Sequence, residues 1–260
     1  MADEVKIEEN QALVSEQAEI EPALLEELVK AGVLYGRKKT KTHPRMQPFI
    51  FTTRNGIEII DVAQTLDLIG KAAEFLKEIV RRGGLILFLG TTPSAKDLVK
   101  NLAQKFGLPY VTERWMGGTL TNFKTINQRL QYFIKLRTDE ATGRLEKYTK
   151  KERIQFAKEI GRLTILFGGL EPLTRLPDAI MIVDATEHTT AIREARRMKI
   201  PIICLMSTDA DPDLIDYPVV ANDRARSSIE WVLGKIEKAI AEAKAGVIAN
   251  NANLGQNNAN

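Results

Sequence analysis

A chain of 260 residues, 44% of them hydrophobic, can bury one substantial core or two modest ones. No apolar run approaches the roughly 20 residues that a bilayer-spanning helix needs, so a protein built on such helices is excluded. The formal charge of +3 hides an asymmetry: residues 1–27 hold nine acids and one lysine, a local charge of −8, which leaves +11 on the remainder and points to an anionic partner such as nucleic acid. The opening Met1-Ala2-Asp3-Glu4 lacks the basic start and apolar centre of a secretory signal, and the single cysteine, Cys204, has no partner for an internal disulfide. A cytoplasmic location is expected, with Cys204 buried and inert in the apolar run 200–206.

Residues 1–20 are acidic and poor in aromatics and read as a flexible tail. Pro22 suits the first turn of a helix on which Leu24, Leu25, Leu28 and Val29 share one face as far as Val33, with Gly36 as its stop. From 37 to 54 stand six basic residues, Arg37, Lys38, Lys39, Lys41, Arg45 and Arg54, and no acid. Their Thr, Pro and His neighbours indicate an exposed loop, and nothing within it neutralises the charge, so phosphate contacts rather than base reading are expected. Asn55-Gly56 separates the apolar runs 49–52 and 57–60 and predicts a β-hairpin, because that dipeptide tolerates positive φ. Asp61 is placed to cap the next helix, where Leu66, Ile69, Ala73, Leu76 and Val80 recur at helical spacing until Gly83-Gly84 stops it. A buried parallel strand over 85–89, a helix over 94–106 and a brief strand over 109–111 follow.

The stretch 114–125, Arg-Trp-Met-Gly-Gly-Thr-Leu-Thr-Asn-Phe-Lys-Thr, reads as a hinge between two architectures. Gly117 and Gly118 free the backbone to turn, Thr119 or Thr121 is placed to cap the next helix, Trp115 to anchor the loop and Arg114 to reach a phosphate. Beyond it Ile126, Leu130, Phe133 and Arg137 trace one helical stripe and Phe156, Ile160, Leu163 and Phe167 another, while Thr149-Lys150-Lys151-Glu152 has the form of a capping box. A helical hairpin is expected, with eleven basic and five acidic residues between 124 and 162. Alternation resumes with strands over 179–183 and 201–205 and helices over 188–198 and 227–245. The fold class is therefore α/β, a mostly parallel sheet with helices on both faces. Residues 21–120 and 168–245 form this sheet domain, 121–167 the inserted hairpin, and 246–260 an Asn-rich unstructured tail.

The ten residues 114–123 resemble a signature of protein two of the bacterial small ribosomal subunit. Three further motifs follow the family order: Arg54-Asn55-Gly56-Ile57-Glu58-Ile59-Ile60-Asp61, Leu176-Pro177-Asp178-Ala179, and Asp211-Pro212-Asp213-Leu214-Ile215-Asp216-Tyr217-Pro218 with Asn222-Asp223. The resemblance covers about 24–240. It implies a flavodoxin-like three-layer α/β/α domain with an inserted coiled-coil hairpin, and a structural, non-enzymatic role in translation. It further implies binding of small-subunit (16S) rRNA near the junction of head and body, contacts with other small-subunit proteins, and docking of the large RNA-binding protein one. No cofactor, metal, membrane or homo-oligomer is expected. On this reading the rRNA-binding candidates are Arg37, Lys38, Lys39, Lys41, Arg45, Arg54, Arg114, Asn122 and Lys124, and Trp115, Gly117, Gly118 and Thr119 are the structural hinge. The family commonly has histidines where this chain has Leu34 and Arg37, a lysine at Thr92 and an acid at Arg224.

The rival reading is a nucleotide- or phosphate-using enzyme, since doubly wound sheets bind ligands outside the carboxyl ends of their strands, here the loops after Leu89, Val183 and Met206. Gly90-Thr91-Thr92-Pro93-Ser94 enters a helix but matches neither nucleotide fingerprint, and reads as a structural turn. Asp209, Asp211, Asp213 and Asp216 lack the glycine and glutamate of a calcium loop, with Leu214 and Val220 at those positions, and read as turn and capping chemistry. His43 and His188 belong to no recognisable metal or nucleophile set.

Overall fold

A computed structural model describes residues 21–257, so the expected acidic tail over 1–20 lies outside the described residues. Helix α1 (Pro22–Ala31) opens on the predicted proline but stops at Gly32 rather than Gly36. Gly32 takes φ +70°, and its N–H closes on the carbonyls of Leu28 and Val29, a left-handed cap that suits glycine. Gly36 lies inside β1 (Tyr35–Lys38). The expected open loop is thus part strand, followed by the 3₁₀ turns Lys39–Lys41 and Pro44–Phe49. Strands β2 (Ile50–Arg54) and β3 (Ile57–Ile60) form the predicted hairpin around Asn55 and Gly56, at φ +51° and +75°. With β1 they make a three-stranded antiparallel sheet in the order β1-β3-β2.

Helix α2 (Val62–Arg81) is capped by Asp61, whose carboxylate accepts from the N–H groups of Ala63 and Gln64. There follow β4 (Ile86–Leu89), α3 (Pro93–Phe106), β5 (Tyr110–Val111), α4 (Phe123–Ala141), α5 (Lys150–Phe167), β6 (Ala179–Val183), α6 (Thr189–Met198), β7 (Ile202–Met206), β8 (Tyr217–Val220) and α7 (Arg226–Asn257). The second sheet has the order β5-β4-β6-β7-β8 with parallel neighbours throughout. Numbered within that sheet the order is 2-1-3-4-5, compatible with a flavodoxin-like fold.

Period-2 alternation divides the sheet's side chains between two cores. Phe88, Met181 and Leu205 join the helices α1, α2, α3 and α7 on one side. Leu89, Ile182, Cys204 and Met206 join α4, α5 and α6 on the other. Burial on both faces is why these strands read as unbroken apolar runs. Cys204 is fully buried between Ile182 and Pro218 of the neighbouring strands. Burial, with the Asp223 and Asp184 carboxylates acting in the same direction, pushes its thiol pKa well up. A thiol reagent should label Cys204 no faster than the chain opens, and prompt labelling of the native protein would contradict this placement.

The capping box forms as predicted: the Thr149 N–H donates to Glu152 at 2.9 Å and the Glu152 N–H to the Thr149 hydroxyl at 3.4 Å. The two helices it separates are more than an appendage. Ile126, Leu130, Phe133, Leu163 and Phe167 belong to the core beneath the sheet, whereas no residue from 137 to 159 is buried. Arg137, on the expected apolar stripe, instead lies 5.4 Å over the Phe133 ring and pairs with Glu171. At the other end, α7 runs on through 246–257, where an unstructured tail is expected.

Candidate nucleic-acid interface

The basic loop is fastened by residues far along the chain. Gly36 is required there, because a Cβ would stand 2.7 Å from the Thr208 methyl and 3.1 Å from the Glu58 carbonyl. Backbone bonds then tie the loop to the segment after β7: the Arg37 N–H donates to the Thr208 hydroxyl at 2.9 Å and the His43 N–H to the Thr208 carbonyl at 2.8 Å. The Arg37 side chain turns inward, Nε to Asp209 at 3.0 Å and Nη2 to Asp223 at 2.7 Å. Arg45 reaches Asp211 at 3.1 Å and Asp213 at 2.7 Å. The expectation of uncompensated charge is therefore corrected for these two arginines, whose partners lie outside the loop. It stands for Lys38, Lys39 and Lys41, which are exposed and, among the described residues, make no ion pair. Arg54 is half-buried at the end of β2, opposite Ile57. Leu34, at a position where histidine is common in the family, is 1% exposed and belongs to the core.

The acidic loop is consumed by this fastening and by turns. Asp211 also accepts from the Asp213 N–H to cap the 3₁₀ turn Pro212–Leu214, and Asp216 accepts from the Ile202 N–H at 2.9 Å. Each histidine accepts one backbone hydrogen bond. His43 Nδ1 accepts from the Arg45 N–H and His188 Nε2 from the Thr91 N–H, both at 3.4 Å.

The hinge is organised by a residue outside its motif. Neither Thr119 nor Thr121 caps α4: the Thr119 hydroxyl donates to the Met116 carbonyl at 2.6 Å, and Asn122, in the capping position, makes no side-chain cap bond. The donors converge instead on Glu194 of α6. Its Oε1 accepts from the Trp115 indole at 3.1 Å and the Gly118 N–H at 2.8 Å. Oε2 accepts from the N–H groups of Leu120 at 3.0 Å and Thr121 at 3.2 Å, and from the Thr121 hydroxyl at 3.3 Å. Burial alone would raise the pKa of this carboxyl, but the Gly118 N–H, the indole and the N–H groups of Leu120 and Thr121 together hold it below its ordinary value. Gly118 needs φ +90° for this turn, whereas a Cβ on Gly117 would meet nothing within 4 Å. Only the second glycine is conformationally required. Arg114, Asn122 and Lys124 are exposed around this fixed turn.

Sequence reasoning missed both Glu194 and the outer face of its helix. Arg193, Arg196, Arg197 and Lys199 are exposed while Glu194, the one acid among them, turns inward. Arg196 donates to the Asp213 carbonyl; the other three make no ion pair among the described residues. The available signal was the pattern itself: Glu194 falls on the apolar face of the helix, beside Ala191 and Ala195.

A cavity of about 330 Å³ lies where the strand order reverses, lined by Thr91, Thr92, Pro93, Ser94, Asp184, Glu187, Asp223 and Arg224. Three carboxylates against one guanidinium make it a poor receptor for phosphate, which weighs against the nucleotide reading. Burial lowers the His188 pKa to about 4, so its imidazole is neutral there at physiological pH.

A family model described as "Ribosomal protein S2" matches residues 28–243. Proteins named "Small ribosomal subunit protein uS2" are similar over most of the chain. One from Thermus thermophilus is 42% identical over 224 residues, 86% of this chain and 88% of the relative. One from Dehalococcoides mccartyi is 38% identical over 220 residues, covering 85% and 90%, and one from Mycobacterium leprae 43% over 218 residues, covering 84% and 79%. The basic loop, the hinge, Glu194 and the acidic loop all fall inside the matched span, and the chain belongs to the ribosomal protein S2 family.

Proposed function

We propose that this protein is a structural component of the small ribosomal subunit that binds small-subunit rRNA through phosphate contacts. The observation that carries this reading is the division of labour in the loop after α1. Arg37 and Arg45 are taken up by acids from the other end of the chain, so the backbone is held in place, while Lys38, Lys39 and Lys41 project without partners among the described residues. A fixed backbone carrying exposed ammonium groups suits phosphate contact, which positions a protein on RNA without reading its sequence. Arg114, Asn122 and Lys124 around the hinge supply a second group, Arg54 a further contact, and the α6 face of Arg193 and Arg197 extends the basic surface. The names of the relatives support a place in the small subunit. A cytoplasmic ribosome, neighbouring small-subunit proteins including the large RNA-binding protein one, and a coiled-coil arrangement of α4 and α5 complete the reading.

Neutralising Lys38 and Lys39 together (Lys38→Gln, Lys39→Gln) should weaken binding to different RNA fragments alike. The slope of log K against log salt should flatten by about 0.7 to 0.9 for each phosphate that is no longer neutralised. An unchanged slope would remove this loop from the interface.

A further inference from the structure

The distal end of the hairpin carries a cluster that neither the basic loop nor the hinge involves. Between 144 and 153 stand Arg144, Lys147, Lys150, Lys151 and Arg153, against Glu146 and Glu152. Arg144 is held by Asp139 at 3.2 Å, and the Glu152 carboxylate is occupied by the N–H and hydroxyl of Thr149 at 2.9 and 2.8 Å. The other four cations make no ion pair among the described residues. Lys150 and Lys151 fill the first two positions of α5, where the helix dipole disfavours positive charge. They weaken the helix they begin, a placement without structural benefit but favourable to an incoming anion.

In their midst Tyr148 is 38% exposed. Its ring meets Phe156 edge to face at 5.1 Å and 71°, and the Lys147 ammonium stands 5.3 Å from the ring centre. The backbone beneath is fixed on both sides, by the Tyr148 N–H bond to the Leu145 carbonyl at 3.2 Å and by the capping box that starts at Thr149. A braced, exposed aromatic among unpaired cations fits an unpaired nucleobase with its flanking phosphates. Duplex RNA presents phosphates but keeps its base faces stacked, and an acidic peptide would engage the lysines while leaving the ring idle.

We propose that the hairpin tip binds a single-stranded segment of RNA, one unpaired base stacking on Tyr148 while Lys147, Lys150, Lys151 and Arg153 hold the neighbouring phosphates. The proposal rests on the RNA-binding reading above but uses none of the loop's residues. It is tested by titrating the full chain with a single-stranded oligo(A) and with an RNA duplex of equal length at one low salt concentration. Tyr148→Ala should weaken single-strand binding about tenfold, within the range for one base stack removed, and leave duplex binding unchanged, with thermal unfolding shifted by no more than the lost edge-to-face contact with Phe156. Tyr148→Phe, which keeps the ring, should match the parent. The Lys38→Gln, Lys39→Gln chain should lose affinity for both ligands, so a failure of the tip and a failure of the loop are seen separately. No measurable single-strand binding, no loss on Tyr148→Ala, or equal losses for strand and duplex would overturn the proposal. So would a polyglutamate peptide that displaces oligo(A) equally well from the parent and from Tyr148→Ala.

Discussion

Replacing Glu194 by alanine should cost the protein about 3–5 kcal/mol and loosen the turn between 115 and 122. Glu194 is 7% exposed, and its carboxylate accepts from the Trp115 indole, the N–H groups of Gly118, Leu120 and Thr121, and the Thr121 hydroxyl. An unmade bond to a buried donor costs about 1–3 kcal/mol, and of the donors only the Leu120 N–H is fully buried, so the losses are shared rather than fully additive. Glu194→Gln preserves the shape but sets an amide NH₂ against N–H donors, and should fall between alanine and the parent. Because the carboxyl pKa is depressed in the fold, its contribution is present above the unfolded pKa and is lost as pH falls through the folded value. Urea unfolding gives the global loss, and hydrogen exchange at Gly118, Leu120 and Thr121 gives the local one. A change below about 1 kcal/mol would mean that packing of Trp115, not the carboxylate, holds the turn.

The features legible in the sequence are those whose causes are local. Asn55-Gly56 carries its turn preference in two residues, Asp61 and Thr149 with Glu152 cap helices within three positions, and apolar runs mark strands buried on both faces. Reading failed where a distant residue decides. Gly36 reads as the helix stop, but it is a glycine because Thr208 leaves no room for a Cβ there, and the left-handed cap falls on Gly32. The motif at 114–123 shows that a turn exists but not that its donors are bound by an acid over 70 residues later. The charge of the basic loop looks unbalanced because the partners of Arg37 and Arg45 lie 166 to 186 positions away. Local counting overstated how much of that charge faces outward, and it passed over the outer face of α6, where one inward acid among arginines marks the boundary between core and surface.

Arg37→Met should destabilise the protein by about 3–5 kcal/mol at pH 8, and by about 1 kcal/mol less at pH 5. The Arg37 side chain is 16% exposed and its guanidinium bridges Asp209 and Asp223, the latter 1% exposed with its second carboxylate oxygen unpartnered. Burial, with Asp184 and then Asp209 acting in the same direction, raises the Asp223 pKa to about 7 against the pull of Arg37 and Arg224. Its folded pKa thus lies above its ordinary 3.8, so between about pH 4 and 7 the folded state binds a proton that the unfolded chain releases, and stability from this group falls as pH rises. His188 acts in the opposite sense. Burial lowers its pKa from 6.5 to about 4, the unfolded chain takes the proton first, and stability from this group rises with pH across that window. The two slopes largely offset each other in the parent between about pH 4 and 6.5. Without Arg37 the Asp223 carboxyl is harder still to ionise, so the deficit grows above pH 7 and shrinks where the proton is retained. Adding Asp223→Asn to Arg37→Met should remove the extra deficit seen at pH 8 relative to pH 5, and Asp223→Asn alone should leave the His188 slope exposed, with stability rising from about pH 4 to 6.5. Urea midpoints measured from pH 4.5 to 8 separate these outcomes. A deficit of equal size at both ends would place the contribution of Arg37 in the packing of its side chain rather than in its charge.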